Sequence, residues 1–253
     1  PDSYCFEVPD FLVGCTAKND KGVEYPPLQP GLRRVTDFKF FHQVLGKFGP
    51  QGANQLIPKE YWDKARFRWD DWVSRHGENP PESVRPIFGL DISDLGEDSN
   101  SLCRRYTDWV ARFDTWKGNH PNESADRVED IAIQENSVVV NVDGIGVGVD
   151  VAPLLRKKKI KARSIVISEK PTKEYKKDEK NVLKFHRLRD QLYWDTAQWF
   201  INENAMVPPD DQLMDEVLCI TYEEDKTTRR IRVLSKDKMK DILGRSPDKF
   251  DSL

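Results

Sequence analysis

Cysteine is scarce, and the four present (Cys5, Cys15, Cys103, Cys219) are scattered, with no Cys-x-x-Cys pair. That excludes a disulfide scaffold and a thiolate zinc site, and a reducing cytoplasm is the expected setting. Long apolar runs are missing too. Val138-Val139-Val140 is typical of the longest, so no membrane-spanning helix is expected. No Gly-x-x-x-x-Gly-Lys-Ser/Thr occurs, which excludes a P-loop. None of the four histidines (His42, His76, His120, His186) stands in a His/Cys ligand spacing, and no Ser-His-Asp or Cys-His arrangement announces itself. Gly and Pro, 14 and 16 residues, are near average usage and exclude a collagen-like or low-complexity chain. There is no internal repeat. The chain starts at Pro1 without a charged-then-apolar leader, so no secretory signal is expected, and a first residue other than Met suggests a cut-out fragment.

What is present is charge. Of the 253 residues, 33% are charged and 38% apolar, too apolar for a disordered chain. The length suits one large or two small domains with a substantial core. Net charge is only −3, but it is unevenly spread. Residues 156–189 carry 14 Lys/Arg against 4 Asp/Glu, and residues 226–240 carry 7 against 1. The remainder is acidic. Such blocks are either solvated faces or the footprint of a nucleic-acid partner.

Residues 1–55 are rich in Pro, Gly and short apolar pieces and read as a linker or the tail of a preceding domain. From 59 to 76 the period is helical, with Trp62, Ala65, Trp69, Trp72 and Val73 on one face and Pro58 before it. Such a stripe reads as core. Residues 78–82 then break the chain. An α/β rhythm follows, with strands expected over 86–92, 101–106 and 109–115. A helix is expected over 123–135 and a buried β-branched strand over 137–142. Another helix should begin near the glycine turn 144–148, and a further strand is expected over 162–168. Phe185, Leu188, Leu192, Trp199 and Phe200 mark a long helix, and 217–222 with 229–234 read as a hairpin. A helix over 235–243 should end at Gly244, and Ser246-Pro247 should open the last one.

Three aspartates stand in unusual places. Asp91 ends an apolar strand, Asp143 ends a second, and Asp251 lies one turn after Pro247, with Asp248 at i−3 on the same face. A buried carboxylate is expensive unless paired or metal-bound. Together the three suggest a site for a hard divalent cation such as Mg²⁺. Taken singly, each has a plainer reading: Asp91 as a turn cap, Asp143 as an Asp-Gly turn, Asp248 as a first-turn dipole partner. The loop Gly144-x-Gly146-x-Gly148 is either a weak phosphate cradle or a tight strand–helix turn.

Together these segments resemble the nuclease part of tailed-phage large terminase subunits. Gly89-Leu90-Asp91, with the later Gly96-Glu97-Asp98, resembles their first nuclease strand. Residues 139–148 resemble their second acidic strand and glycine turn. Phe185 to Trp194, with Arg189, Leu192 and Tyr193, resembles their Phe…Arg…Tyr-Trp helix. Gly244-Arg245-Ser246-Pro247-Asp248-Lys249-Phe250-Asp251 is similar to their Gly-Arg-Ser-Pro-Asp-x-Ala-Asp ending and is the most specific match. Gly46-Lys47-Phe48 with Gln55-Leu56-Ile57-Pro58 looks like the joint between their ATPase and nuclease. Arg187 and Phe250 depart from the Asn and Ala the family often carries.

The resemblance implies an α/β, ribonuclease-H-like (resolvase/integrase-like) fold, a mixed central β-sheet flanked by helices. It divides the chain into a linker or ATPase tail (1–57), a helical connector (58–82) and a nuclease domain (83–253). It implies an endonuclease cutting concatemeric viral double-stranded DNA during packaging. Asp91, Asp143 and Asp251 would be metal ligands, Asp248 an auxiliary, and the cofactor Mg²⁺ or Mn²⁺, two ions being expected. Candidate DNA contacts are Arg163, Lys170, Arg187 and Arg189 in one basic stretch and Arg229, Arg230 and Lys236 in the other. Implied partners are the portal protein and the small terminase subunit. The isolated domain is expected to be monomeric, the full-length protein a ring on the portal in the host cytoplasm, with no membrane. Two other readings stay open: an actin-like or sugar-kinase-like ATPase, and a non-catalytic DNA- or portal-docking module.

Overall fold

The computed structural model describes residues 54–253, except 94–98, 119, 145, 147, 174, 177–181 and 203, together with two strands nearer the N-terminus. The chain divides into two units, 1–53 and 54–253. In the first, strand β1 (Tyr4–Glu7) pairs antiparallel with β2 (Leu32–Val35). The Gly46-Lys47-Phe48 and Gly96-Glu97-Asp98 motifs lie outside the described residues.

The second unit opens with helix α1 (Lys59–His76). Its Trp62, Ala65 and Trp69 are buried, as a 3.6-residue period places them. Trp62 stacks on Phe200 at 6.3 Å and Trp69 on Trp109 at 6.4 Å, while the Trp69 indole N–H donates to the Val110 carbonyl at 2.9 Å. The tryptophan stripe is core.

The central sheet contains β3 (Ile87–Asp91), β4 (Asn100–Tyr106), β5 (Trp109–Val110), β6 (Asp114–Trp116), β7 (Val139–Asp143) and β8 (Ala162–Ile165). Its order is β5-β4-β3-β7-β8, with β6 also on β4. β4 runs antiparallel to β3, whereas β7 and β8 run parallel to it. The parallel steps are crossovers through α2 (Pro121–Gln134) and α3 (Gly148–Lys157). Alternation divides the faces. Phe88, Leu90, Leu102, Val140 and Val142 point to one side and pack on Ala125, Val128, Val151 and Leu155 of the two helices. The other side carries Ile87, Gly89, Asp91, Asn141 and Asp143. Asp91 and Asp143 are therefore turned away from the main core by strand period alone.

A second, smaller sheet has the order β11-β12-β10-β9, from β9 (Tyr175–Lys176), β10 (Val182–Phe185), β11 (Tyr222–Glu224) and β12 (Arg230–Val233). Helices α4 (Leu188–Asn202), α5 (Asp211–Cys219), α6 (Lys236–Leu243) and α7 (Asp248–Ser252) complete the unit.

Several expected elements change. Phe185 lies on a strand, because residues 182–185 alternate exposed and buried. The helix starts only at Leu188, with Asp190 Oδ2 accepting from the Arg187 N–H at 2.9 Å. Val217, Leu218 and Cys219 close helix α5 instead of forming a strand. A short apolar run does not separate a buried helix from a strand, and the Asp210 cap, accepting from Leu213 N–H at 3.0 Å, decides for the helix. The hairpin is correspondingly shorter, β11 with β12. The strand expected over 109–115 splits into β5 and β6. Ser235 caps α6 and Gly244 ends it in the left-handed region at φ 72°. Pro247, not Ser246, occupies the cap position of α7, and Ser246 is buried.

Candidate active site

β3 and β7 are adjacent and parallel, with Leu90 opposite Val142. Asp91 and Asp143 therefore emerge side by side at the same end of the sheet. The turn after Asp143 needs Gly148, because a Cβ there would sit 2.0 Å from the Asp143 carbonyl oxygen. Gly144 bonds back to the Ile165 carbonyl at 2.9 Å. These glycines serve close strand–helix packing.

Helix α7 brings the third carboxylate, lying across β3 and β4. Gly89 permits this approach: a Cβ on it would stand 1.9 Å from the Ser252 carbonyl oxygen. Ser101 and Ser252 join hydroxyl to hydroxyl at 2.9 Å, and the Phe250 N–H donates to Glu216 Oε2 at 2.8 Å. Glu216 is buried and ion-paired with Arg245. Burial, opposed by that guanidinium and the Phe250 N–H, pushes its carboxyl up to about 7.

Asp251 accepts a hydrogen bond from the Tyr193 hydroxyl. Burial and the Asp251 charge hold that phenol well above its ordinary range, so it remains a donor. The Tyr193 ring meets Phe250 edge-on at 4.8 Å and carries the Arg189 guanidinium 4.2 Å from its centroid. Lys236, first residue of α6, places Nζ 2.7 Å from Asp251 Oδ2 and 3.9 Å from Asp91 Oδ2. Asp248 Oδ2 accepts from the Ser99 N–H at 3.3 Å. Asp91 is only 4% exposed. Burial raises its carboxyl well above the usual range; Lys236 opposes this, and the charges of Asp251, Asp143 and Asp248 add to it. Three carboxylates thus act on Asp91, opposed by the Lys236 ammonium.

No family model matches the sequence, and no curated protein matches it. Solved structures do. The chain is similar to a mutant gp2c of the large terminase subunit from bacteriophage Sf6 with calcium, at 21% identity and TM-score 0.62, over 78% of this chain and 96% of that one. It is also similar to a mutant nuclease domain of the Sf6 large terminase subunit gp2 with manganese, at 20% identity and TM-score 0.60, over 78% and 96%. The corresponding gp2 nuclease domain gives 20% and 0.58, over 78% and 95%. This chain has the fold of a phage terminase nuclease domain. The ribonuclease-H-like sheet expected from the sequence is therefore present.

On this terminase-nuclease fold, Asp91, Asp143, Asp248 and Asp251 come within electrostatic reach of one another. Among the described residues no group of three or more His, Cys, Asp or Glu side chains is placed to hold a metal ion as it stands; Lys236 stands among the acids instead. The basic candidates separate. Lys236 and Arg189 lie inside the cluster, Arg189 also donating to the Leu234 carbonyl at 2.9 Å. Arg163, Lys170 and Arg187 are exposed. Arg229 pairs with Glu224 at 2.9 Å, and Arg230 lies exposed opposite Lys184. Sequence reasoning gave no role to Gly89, Glu216, Asp190 or Ser252. One signal was available: Glu216 interrupts an otherwise apolar helical stretch with Leu213, Val217 and Leu218. Asp190 is buried and ties α4 to β12, accepting from the Val233 N–H at 2.8 Å.

Proposed function

We propose that this chain is the endonuclease domain of a tailed-phage large terminase subunit, hydrolysing concatemeric double-stranded viral DNA during packaging. The observation that carries the reading is the convergence of Asp91, Asp143 and Asp251, from three separate elements, at one end of a terminase-nuclease sheet. Asp91, Asp143 and Asp251 would hold Mg²⁺ or Mn²⁺, two ions being favoured, with Asp248 beside them. The donor set fits: it is all carboxylate oxygen, as hard cations require. It is also short of positive charge, because Lys236 and Arg189 supply two units against four acids. Bound divalent ions supply hydroxide from water at neutral pH and stabilise the departing 3′ oxygen.

The chain's own residues prepare that chemistry. Tyr193 fixes one Asp251 oxygen and leaves the other toward Lys236. Lys236 offsets the acids, and its side chain, 35% exposed, would have room to leave them to bound cations. Gly89 and Ser101 seat α7 so that Asp251 meets Asp91. The exposed Arg163, Lys170, Arg187, Arg229 and Arg230 contact backbone phosphates, which carry no base sequence, so cutting has only weak sequence preference. We further assign residues 1–57 to the tail of a preceding ATPase, 58–82 to a connector and 83–253 to the nuclease. The portal protein and small terminase subunit are the partners, met in the host cytoplasm.

The test is nicking and linearisation of supercoiled plasmid with Mg²⁺, Mn²⁺ or EDTA, comparing the chain with Asp143→Asn. Metal-dependent cutting that disappears in the variant supports the reading. DNA binding that persists without cutting under any metal, and is indifferent to Asp143→Asn, overturns it in favour of docking.

A further inference from the structure

Beside the carboxylate site a cleft of about 820 Å³ runs between the sheet and helix α4. Asp143 and Asp251 line one end; Arg85 and Arg105 line the other. The sheet register fixes this polarity. Ile87 pairs with Arg105 and Asp91 pairs with Ser101 on the same face. Asp91 and Ile87 bound β3, so about 13 Å separates the acidic end from the arginine end at ~3.3 Å per residue.

The two arginines carry unbalanced charge. Arg85 donates to the carbonyls of Asn136 and Ser137 at 2.8 and 3.2 Å, and Arg105 lies 5.4 Å from the Trp199 centroid. Among the described residues neither has a carboxylate at ion-pair distance. Two acids also line the cleft and are engaged: Asp195 faces Lys173 at 3.8 Å, and Asp108 accepts from the Trp199 indole at 3.5 Å. Between the charged ends the walls mix apolar side chains (Ile87, Val138, Leu192) with polar ones (Asn141, Thr196, Gln198). Ile87 and Leu192 each leave 36% of their surface open there, an uncommon exposure in this chain.

We propose that this cleft binds one unpaired DNA strand, running from the carboxylate site toward Arg105 and Arg85. The proposal rests on the nuclease reading and narrows its substrate. Cations at the far end meet phosphates, and the apolar side chains meet base faces, the combination that single-strand sites use. A duplex buries its base faces in stacking and gains nothing from Ile87 and Leu192. At ~3.4 Å per stacked nucleotide, 13 Å accommodates about four nucleotides. The preferred substrate is therefore a duplex with a frayed or overhanging strand at the cut, not a blunt one.

The test uses the full 253-residue chain. Fluorescence anisotropy with a labelled twelve-nucleotide thymidine strand in EDTA compares the chain with Arg105→Gln and Leu192→Glu. Leu192→Glu places a carboxylate on a part-exposed helix position and spares the core, and circular dichroism verifies folding. The expected result is binding weakened about tenfold in each variant, with the log–log salt slope reduced by about 0.7 in Arg105→Gln. A blunt duplex of equal length should bind unchanged in Leu192→Glu. Plasmid cutting measured alongside separates the two ideas. Intact metal-dependent cutting with strand binding that neither variant alters overturns the cleft and leaves the nuclease. Variant-sensitive strand binding without any cutting keeps the cleft and removes the nuclease. A dimer in sedimentation that Leu192→Glu dissociates makes the cleft a protein interface and overturns the proposal.

Discussion

Lys236 Nζ sits 2.7 Å from Asp251 Oδ2, on the first residue of α6 and at the centre of the acidic cluster. It is a monovalent, tethered counter-ion where the carboxylates suit a divalent one. Lys236→Met keeps the stem and removes the charge. Without divalent metal the variant should lose about 1 kcal/mol of stability, because the part-exposed ammonium no longer offsets the acids. With Mn²⁺ the loss should reverse, and calorimetric titration should give about tenfold tighter binding than the unaltered chain. Unchanged thermal stability and unchanged Mn²⁺ affinity together would show that Lys236 does not balance the site.

Gly89→Ala should be far more damaging than a surface methyl. The added carbon would lie 1.9 Å from the Ser252 carbonyl, so α7 must shift and carry Asp251 with it. Overpacking of this kind costs about 1–3 kcal/mol, and the larger effect should be on cleavage rate. Thermal melting and plasmid cutting read the two effects separately. A fully active Gly89→Ala chain would contradict the placement of α7.

Tyr193→Phe removes the donor to Asp251 Oδ1 and retains the ring against Phe250. The fold should lose about 1 kcal/mol, an ordinary hydrogen-bond value. Metal affinity should fall about tenfold or more, as when a partner that orients a metal ligand is lost. If Mn²⁺ binding is unaffected, Tyr193 is a packing residue only.

Glu216 gives a pH signature. Its carboxyl titrates at about 7 in the folded chain against 4.5 for an unperturbed group. The raised value means that the folded state holds the proton more tightly. Its stabilising contribution is complete below about pH 4.5 and is lost as pH rises through 7. Unfolding free energy should therefore fall by about 3 kcal/mol across that interval from this group. Urea denaturation from pH 5 to 8, with metal saturating to hold Asp91 constant, should show a shallower slope in Glu216→Gln. An equal slope in both chains would assign the dependence elsewhere.

The strand alternation around Phe88, Leu90, Val140 and Val142 is written in the sequence, and it already turns Asp91 and Asp143 away from the core. The tryptophans of α1 were legible as core for the same reason, a period that matches a helix. The Ser235 cap and the Gly244 stop were legible from side-chain chemistry. Phe185 and residues 217–219 were not, because short apolar runs fit a buried strand or a buried helix equally.

The sequence by itself determined which residues are carboxylates at strand ends, and that two basic blocks lie between Asp143 and Asp251. It did so because strand period and turn chemistry are local. Only the tertiary structure decided that α7 crosses the sheet at Gly89, that Tyr193 holds Asp251, and that Lys236 lies among the acids while Arg229 pairs on the hairpin. Those relations join residues as far apart as Asp91 and Asp251. They depend on steric approach and on buried electrostatics, which no local pattern of residue types encodes.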